Sequence, residues 1–301
     1  MLNETIGPIN DRLYRLGTRE SIIYLVKGHT HMLIGGAGQW IVPKLEEQLR
    51  EYRIDMSRVG YLLIGHSHFD HSGAVPYLQK KYPHIEVLAS RGAAKLFAME
   101  KAVRNMARFS GMAMEALGIP PEIDGIPLAF DGVSLSKTLA DGDQIDLGAG
   151  IRFRIFETPG HSRCSIMAYA PNQKWLFPSD SLPMPINGGE ELVCTASESF
   201  VDYLQSMEKV AHLPVELCGW EHYGYLRDAS AENIVARSRA VTRKYKQMLK
   251  ERAQPPGDAA TCAKWAADAW EQATQFSFLP RPVIDYITRT MVENALTENI
   301  D

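Results

Sequence analysis

Within eight residues, His66-Ser67-His68-Phe69-Asp70-His71-Ser72-Gly73, the chain places three imidazoles and a carboxylate directly after the apolar run Tyr61-Leu62-Leu63-Ile64. Such a run reads as a strand, and a loop leaving a strand end can aim several donors at one point. Imidazole together with carboxylate suits Zn, Fe or Mn rather than Ca or Mg, which prefer all-oxygen shells. The chain must therefore fold so that this strand ends where further donors can reach it. A two-metal site needs about seven donors, of which this loop supplies four at most.

The remaining donors are expected at the ends of later strands. Thr158-Pro159-Gly160-His161-Ser162 follows an apolar stretch ending at Phe156. Pro178-Ser179-Asp180-Ser181 follows Trp175-Leu176-Phe177, and Gly219-Trp220-Glu221-His222-Tyr223-Gly224 follows Val215 to Leu217. Each presents a His or Asp among small, turn-forming neighbours.

The periodicity around these motifs predicts a mixed chain. Residues 21–26 and 31–34 read as a hairpin about Lys27-Gly28-His29-Thr30. Helix is predicted at 42–53 and 74–81, and strand at 59–64 and 85–89. Residues 91–117, rich in Ala and Met with Gly111 inside, read as one or two helices ending near Gly118-Ile119-Pro120-Pro121. Strands resume at 144–147, 151–156, 165–169 and 175–177. Helices then fill 200–211, 231–252, 259–275 and 282–296, with Pro255-Pro256-Gly257 breaking the second from the third. The layout is an α/β core over residues 1–230 with a helical insertion at about 91–118. A helical extension over 231–301 follows, expected to cap the site.

Composition narrows the classes of partner. An apolar fraction of 45% and a charged fraction of 23% suit a globular protein with a sizeable core. A net charge of −4 argues against a nucleic-acid coat or an anionic membrane surface. No run approaches the ~20 apolar residues that span a bilayer, and residues 1–8 lack a signal-peptide pattern. Cys164, Cys194, Cys218 and Cys262 show no C-x-x-C pairing. Reduced thiols and a cytoplasmic location are the expectation.

The seven donors in this order resemble the metallo-β-lactamase-fold hydrolase superfamily. His66, His68, Asp70 and His71 match its H-x-H-x-D-H motif in full, and His161, Asp180 and His222 match its later donors; the resemblance covers roughly residues 18–230. It implies a four-layer αβ/βα sandwich holding two divalent ions per chain, Zn or Fe/Mn, at one edge. His66, His68 and His161 would serve one ion and Asp70, His71 and His222 the other, with Asp180 between them. Asp70 and Asp180 are the implied catalytic carboxylates. Two departures stand out. The family often carries an acidic residue after its early strand, where this chain has Ile34-Gly35-Gly36-Ala37-Gly38. The last loop is Trp220-Glu221-His222-Tyr223 rather than Pro-Gly-His-Gly.

Length, the C-terminal helices, and the segments Pro76-Tyr77-Leu78 and Val87-Leu88-Ala89-Ser90 resemble the branch of the quinolone-signal response thioesterase. That likeness implies hydrolysis of a small acyl substrate, first of all an acyl-CoA thioester. Arg237, Arg239, Arg243 and Lys244 are then candidates for CoA phosphates. Lactones and phosphodiesters are substrates of the same fold. Asp70-His71-Ser72-Gly73-Ala74-Val75-Pro76 also resembles the flavo-diiron proteins, which reduce O₂ or NO; these carry Glu where this chain has His68, and a flavodoxin domain. A homodimer is compatible with all of this.

Other candidates read more simply. His29 and His31 flank a turn with no acidic partner, and His84 and His212 lie at element ends. Cys164 is expected as a buried thiol at a strand start. The Met-rich helical segment reads as core packing or as part of a roof over an apolar pocket.

Overall fold

The computed structural model describes residues 1–254 and 258–299; the expected break at Pro255-Pro256-Gly257 lies outside the described residues. Two β-sheets face each other. The first runs in the order Gly7–Asn10, Leu13–Gly17, Ile22–Lys27, His31–Ile34, Val59–Leu63, Glu86–Ser90, Lys137–Leu139. Its first four strands are antiparallel, and the later neighbours pair parallel. The second runs Gln144–Gly148, Ile151–Glu157, Ile166–Ala170, Trp175–Phe177, Leu217–Gly219, Tyr225–Arg227. Its one parallel pairing, between Trp175–Phe177 and Leu217–Gly219, is reached through the helix Phe200–Val210.

Side chains alternate across a strand, and this sorts the core into layers. From strand Ile22–Lys27, the side chains of Ile22, Tyr24 and Val26 enter the core between the sheets. Ile23 and Leu25 point the other way, into a core shared with helices Val42–Glu51, Val75–Lys81, Arg91–Phe97 and Glu100–Ala116. The strand reads as an unbroken apolar run because both its faces are covered. Strand Ile166–Ala170 does the same in the second sheet: Ile166 and Ala168 face inward, while Met167 and Tyr169 meet the outer helices. Those are Phe200–Val210, Ile234–Arg252, Ala259–Thr274 and Arg281–Thr297. The helices beyond residue 230 thus share one apolar core with Phe200–Val210. The result is the four-layer αβ/βα arrangement that the family resemblance implies.

Residues 91–117 form two helices, parted at Ala98-Met99. The helix expected at 231–252 begins at Ile234, after a short turn Ala229–Glu232. Strands Gly7–Asn10, Leu13–Gly17 and Lys137–Leu139 and the hairpin Met184–Ile186 with Glu191–Val193 are additions to the predicted elements.

Candidate metal centre

Four loops meet at the carboxyl ends of strands from both sheets. His66 follows Val59–Leu63, His161 follows Ile151–Glu157, Asp180 follows Trp175–Phe177, and His222 follows Leu217–Gly219. Two backbone bonds join the sheets there: Ile166 N–H donates to Gly65 O at 2.9 Å and Ile22 N–H to Glu221 O at 2.8 Å. Gly160, at φ 129°, lies so close to Tyr203 that a Cβ would stand 2.4 Å from its backbone. Only a glycine lets the first turn of helix Phe200–Val210 press against the His161 loop.

All seven predicted donors come together at this edge. The residues form three groups: His66, His68 and His161; His66, His71 and Asp180; and Asp70, His71 and His222. Within each group the candidate donor atoms lie within 4.8 Å of one another. In the first, His66 Nε2 is 3.0 Å from His68 Nδ1, and His161 Nε2 is 3.2 Å from His66 Nε2. His222 Nε2 is 3.0 Å from His71 Nε2. Asp180 reaches both sides: one oxygen is 3.2 Å from His71 Nε2 and 3.4 Å from His161 Nε2, and the other is 3.7 Å from His222 Nε2.

The outward ring nitrogens are held by acceptors. His161 Nδ1–H donates to Thr195 O at 2.7 Å, His222 Nδ1–H to Glu20 O, His66 Nδ1–H to Ser179 Oγ at 3.1 Å, and His71 Nδ1–H to Glu221 Oε2 at 2.9 Å. Each of these bonds leaves the Nε2 lone pair facing inward. Thr195 Oγ1–H and Tyr203 Oη–H also donate to Asp180 O, at 2.9 and 3.0 Å. Glu221 is the site residue that the motif analysis did not assign. Its signal was the carboxylate beside His222, in a chain with glycines at the early strand end.

Inward lone pairs about 3 Å apart, with Asp180 Oδ1 buried and without a hydrogen-bond partner among the described residues, form a cradle suited to cations. The proton affinities divide the cradle in two. Burial keeps His66 well below the usual imidazole range, and it brings His161 down to about 4. Burial also opposes charge on His71, but Asp180, Asp70 and Glu221 outweigh it and raise His71 well above that range. His222 is raised too: burial opposes the charged form there, and Asp180 outweighs it. Asp70 is held down to about 2; its burial is overcome by His71, with which it hydrogen-bonds, and by His222. One side of the cradle is neutral imidazole, and the other draws positive charge. This donor set fits divalent ions of the Zn, Fe or Mn kind.

The model of the metallo-beta-lactamase superfamily matches residues 17–222. The chain belongs to the metallo-beta-lactamase superfamily. Members are generally hydrolases, and the fold typically holds divalent metals. A metallo-beta-lactamase fold-containing protein of Sulfurisphaera tokodaii, ST1585, is 25% identical over 173 residues, 56% of this chain and 62% of the relative. The acyl-coenzyme A thioesterase MBLAC2 of Homo sapiens is 28% identical over 188 residues, 60% of this chain and 64% of the relative. The chain thus spans 62 to 64% of the length of the curated relatives it matches. Among solved structures, the metallo-beta-lactamase family protein TTHA1429 of Thermus thermophilus superposes with a TM-score of 0.67 at 19% identity. That match covers 94% of this chain and 93% of the other, and it shows a common fold.

Other residues are placed apart from the cradle or given simpler roles. His31 is buried in its strand, and His84 and His212 are exposed. Cys164 is a buried thiol that accepts from Ser67 N–H at 3.4 Å. Arg237 donates to the carbonyls of Gly189 and Glu190, and Arg239 pairs with Glu208, while Arg243 and Lys244 are exposed.

An aromatic wall stands beside the cradle. The Phe276 ring centroid lies 4.8 Å from that of His222, and Phe278 stacks on His222 with centroids 6.1 Å apart and planes 11° apart. Phe278 also meets Trp40 and Phe69, and Phe69 meets Phe109 of helix Glu100–Ala116. The segment carrying Phe276 and Phe278 is fastened by Ser277, whose N–H and Oγ–H donate to Glu20 Oε2 at 2.9 and 2.8 Å. Among the donors, His68 and Asp70 are only half-buried.

Proposed function

We propose that the protein is a two-metal hydrolase of small acyl substrates, with an acyl-CoA type thioester as the first substrate class. The observation that carries this reading is the convergence of five imidazoles and two carboxylates with their lone pairs aimed at a common space. When bound, divalent ions held there would supply Lewis acidity to a carbonyl oxygen and lower the pKa of water toward neutrality. His66, His68 and His161 would hold one ion, Asp70, His71 and His222 the other, and Asp180 would touch both.

The protein's own groups account for the rest. Asp70, with its carboxyl held at about 2, is ionised near neutral pH. It is better suited to accept a hydrogen bond from the attacking water, and so aim it, than to keep its proton. Asp180, lowered well below the usual range by His71, His222 and His161 against the opposing effect of burial, likewise stays charged. The wall of Phe276, Phe278, Trp40 and Phe69 would exclude water from one side of the cradle, and half-buried Phe276 would be the ring to meet an apolar or aromatic acyl group. The helical extension thereby acts as a cap on the site. The thioester is favoured by this wall and by the likeness to a human acyl-coenzyme A thioesterase.

The test is metal analysis of protein purified without chelator, joined to a hydrolysis panel of acyl-CoA thioesters, lactones and phosphodiesters. Two metals per chain with thioester turnover that a chelator abolishes is the expected result. Turnover of lactones or phosphodiesters alone would move the substrate class. Two irons with no hydrolysis would move the chemistry to the redox branch of the fold.

A further inference from the structure

The cradle's least expected member is Glu221. Its side chain is 4% exposed and accepts from His71 Nδ1–H at 2.9 Å. The carboxylate lies in a slot floored by two glycines, each just past the end of a neighbouring parallel strand. A Cβ on Gly35 would stand 2.8 Å from Glu221 Oε2, and one on Gly65 would stand 3.0 Å from Oε1. A side chain at residue 35 and the Glu221 carboxylate therefore compete for the same space. The loop bearing Glu221 is itself pinned: Tyr24 Oη–H donates to Trp220 O at 2.9 Å and to Gly224 O at 3.0 Å, and Glu221 O accepts from Ile22 N–H.

We propose that Glu221 is a positioning residue for His71, seated where Gly35 and Gly65 leave room, so that one loop both presents His222 and orients the imidazole facing it. Glu221 holds His71 with Nδ1 protonated and Nε2 facing inward. A carboxylate on the other side of a metal-binding imidazole also raises its basicity. This role rests on the two-metal reading proposed above. It predicts that the Asp70, His71 and His222 side depends on Glu221 and the His66, His68 and His161 side does not.

The experiment is a Zn(II) titration of metal-free protein against a chromophoric chelator, with wild type, Glu221→Gln and Glu221→Ala. Thermal unfolding of each metal-free variant checks its fold. In the Ala variant one of the two equivalents should lose about ten- to a hundredfold in affinity, and the other should be unchanged. With a hydrolysed substrate, kcat should fall while KM holds. The Gln variant keeps the shape and one acceptor oxygen, so it should fall between the two; it carries the test if the Ala variant does not fold. Wild type taking two equivalents, with both variants matching it, would overturn the Glu221 assignment alone. Wild type taking no second equivalent would overturn the two-metal reading and this role together. Equal weakening of both equivalents would overturn the assignment to His71.

Discussion

The ring of Phe278 lies against the indole of Trp40, with centroids 4.6 Å apart and planes 23° apart. The pair joins the turn between the last two helices to a short helical turn just after the fourth strand of the first sheet. Phe278 is 1% exposed and packs in the core of that first layer, although its chain segment belongs to the C-terminal helices. Phe278→Ala should cost about 3–5 kcal/mol of stability, read as a lowered urea midpoint. Phe278→Leu should cost less. A midpoint within error of wild type for the Ala variant would show that the two regions are not fastened there.

Metal removal should cost stability as well. An ion at a thousandfold excess over its Kd stabilises the fold by about 4 kcal/mol, which corresponds to a Tm shift of several degrees in a chain of this size. Adding a chelator should lower Tm by that order, and Zn(II) should restore it. A Tm indifferent to both would argue that the donors hold no ion.

Asp180→Asn removes the carboxylate charge that reaches His71, His161 and His222. Hydrolysis should fall at least about a hundredfold, more than loss of a supporting residue costs, with the fold retained by circular dichroism. Turnover near the wild-type rate would remove Asp180 from the centre of the mechanism.

His31 gives a pH effect away from the cradle. Burial, helped by Arg58 and Lys27, lowers its pKa below the ordinary imidazole value, and its Nδ1 has no partner among the described residues. Between the folded and unfolded pKa values the unfolded chain holds more protons, so stability rises with pH there. The contribution is complete above about pH 6.5 and is lost as pH falls through the lowered value. In unfolding curves at pH 7.5 and 5.0, His31→Gln should lose less stability on acidification than wild type. Parallel losses would assign the acid sensitivity to other groups.

The end of the last described helix reaches back to the start of helix Phe200–Val210. Glu298 accepts from Phe200 N–H and Val201 N–H at 2.8 and 3.2 Å, capping helix Phe200–Val210. Buried Lys246 in turn donates to Glu298 O at 2.6 Å. Glu298→Ala should cost about 1 kcal/mol, seen as a small drop in Tm. No change would mean that water replaces the cap.

The clustering of the seven candidate donors was legible because they sit in short motifs after apolar runs, and such loops must leave strand ends. The strands at the start were harder to read. Leu13–Gly17 carries Arg15, which is fully buried and donates to the carbonyls of Glu4, Thr18 and Tyr223. A buried arginine interrupts the apolar pattern on which strand assignment depends. Lys137–Leu139 is three residues long at a sheet edge, too short for a period to show. Glu221 stood in plain view, but its partner His71 is 150 residues away, and a slot left by glycines is a property of space rather than of order along the chain. The aromatic wall was hidden likewise, since Phe276 and Phe278 lie in a turn between helices.

The order of the donors along the chain has a consequence for biosynthesis. The loop from His66 to His71 is translated as a unit, whereas His222 follows roughly ten to thirty seconds later at ordinary elongation rates. Over that interval the nascent chain carries a partial chelator whose preferences follow the general affinity order of first-row metals. Metal supplied during expression would meet this open loop, while metal added to the finished protein would meet donors of which only His68 and Asp70 are half-buried rather than buried. The two routes need not load the same ion, so the growth medium belongs among the variables of any metal assay on this protein.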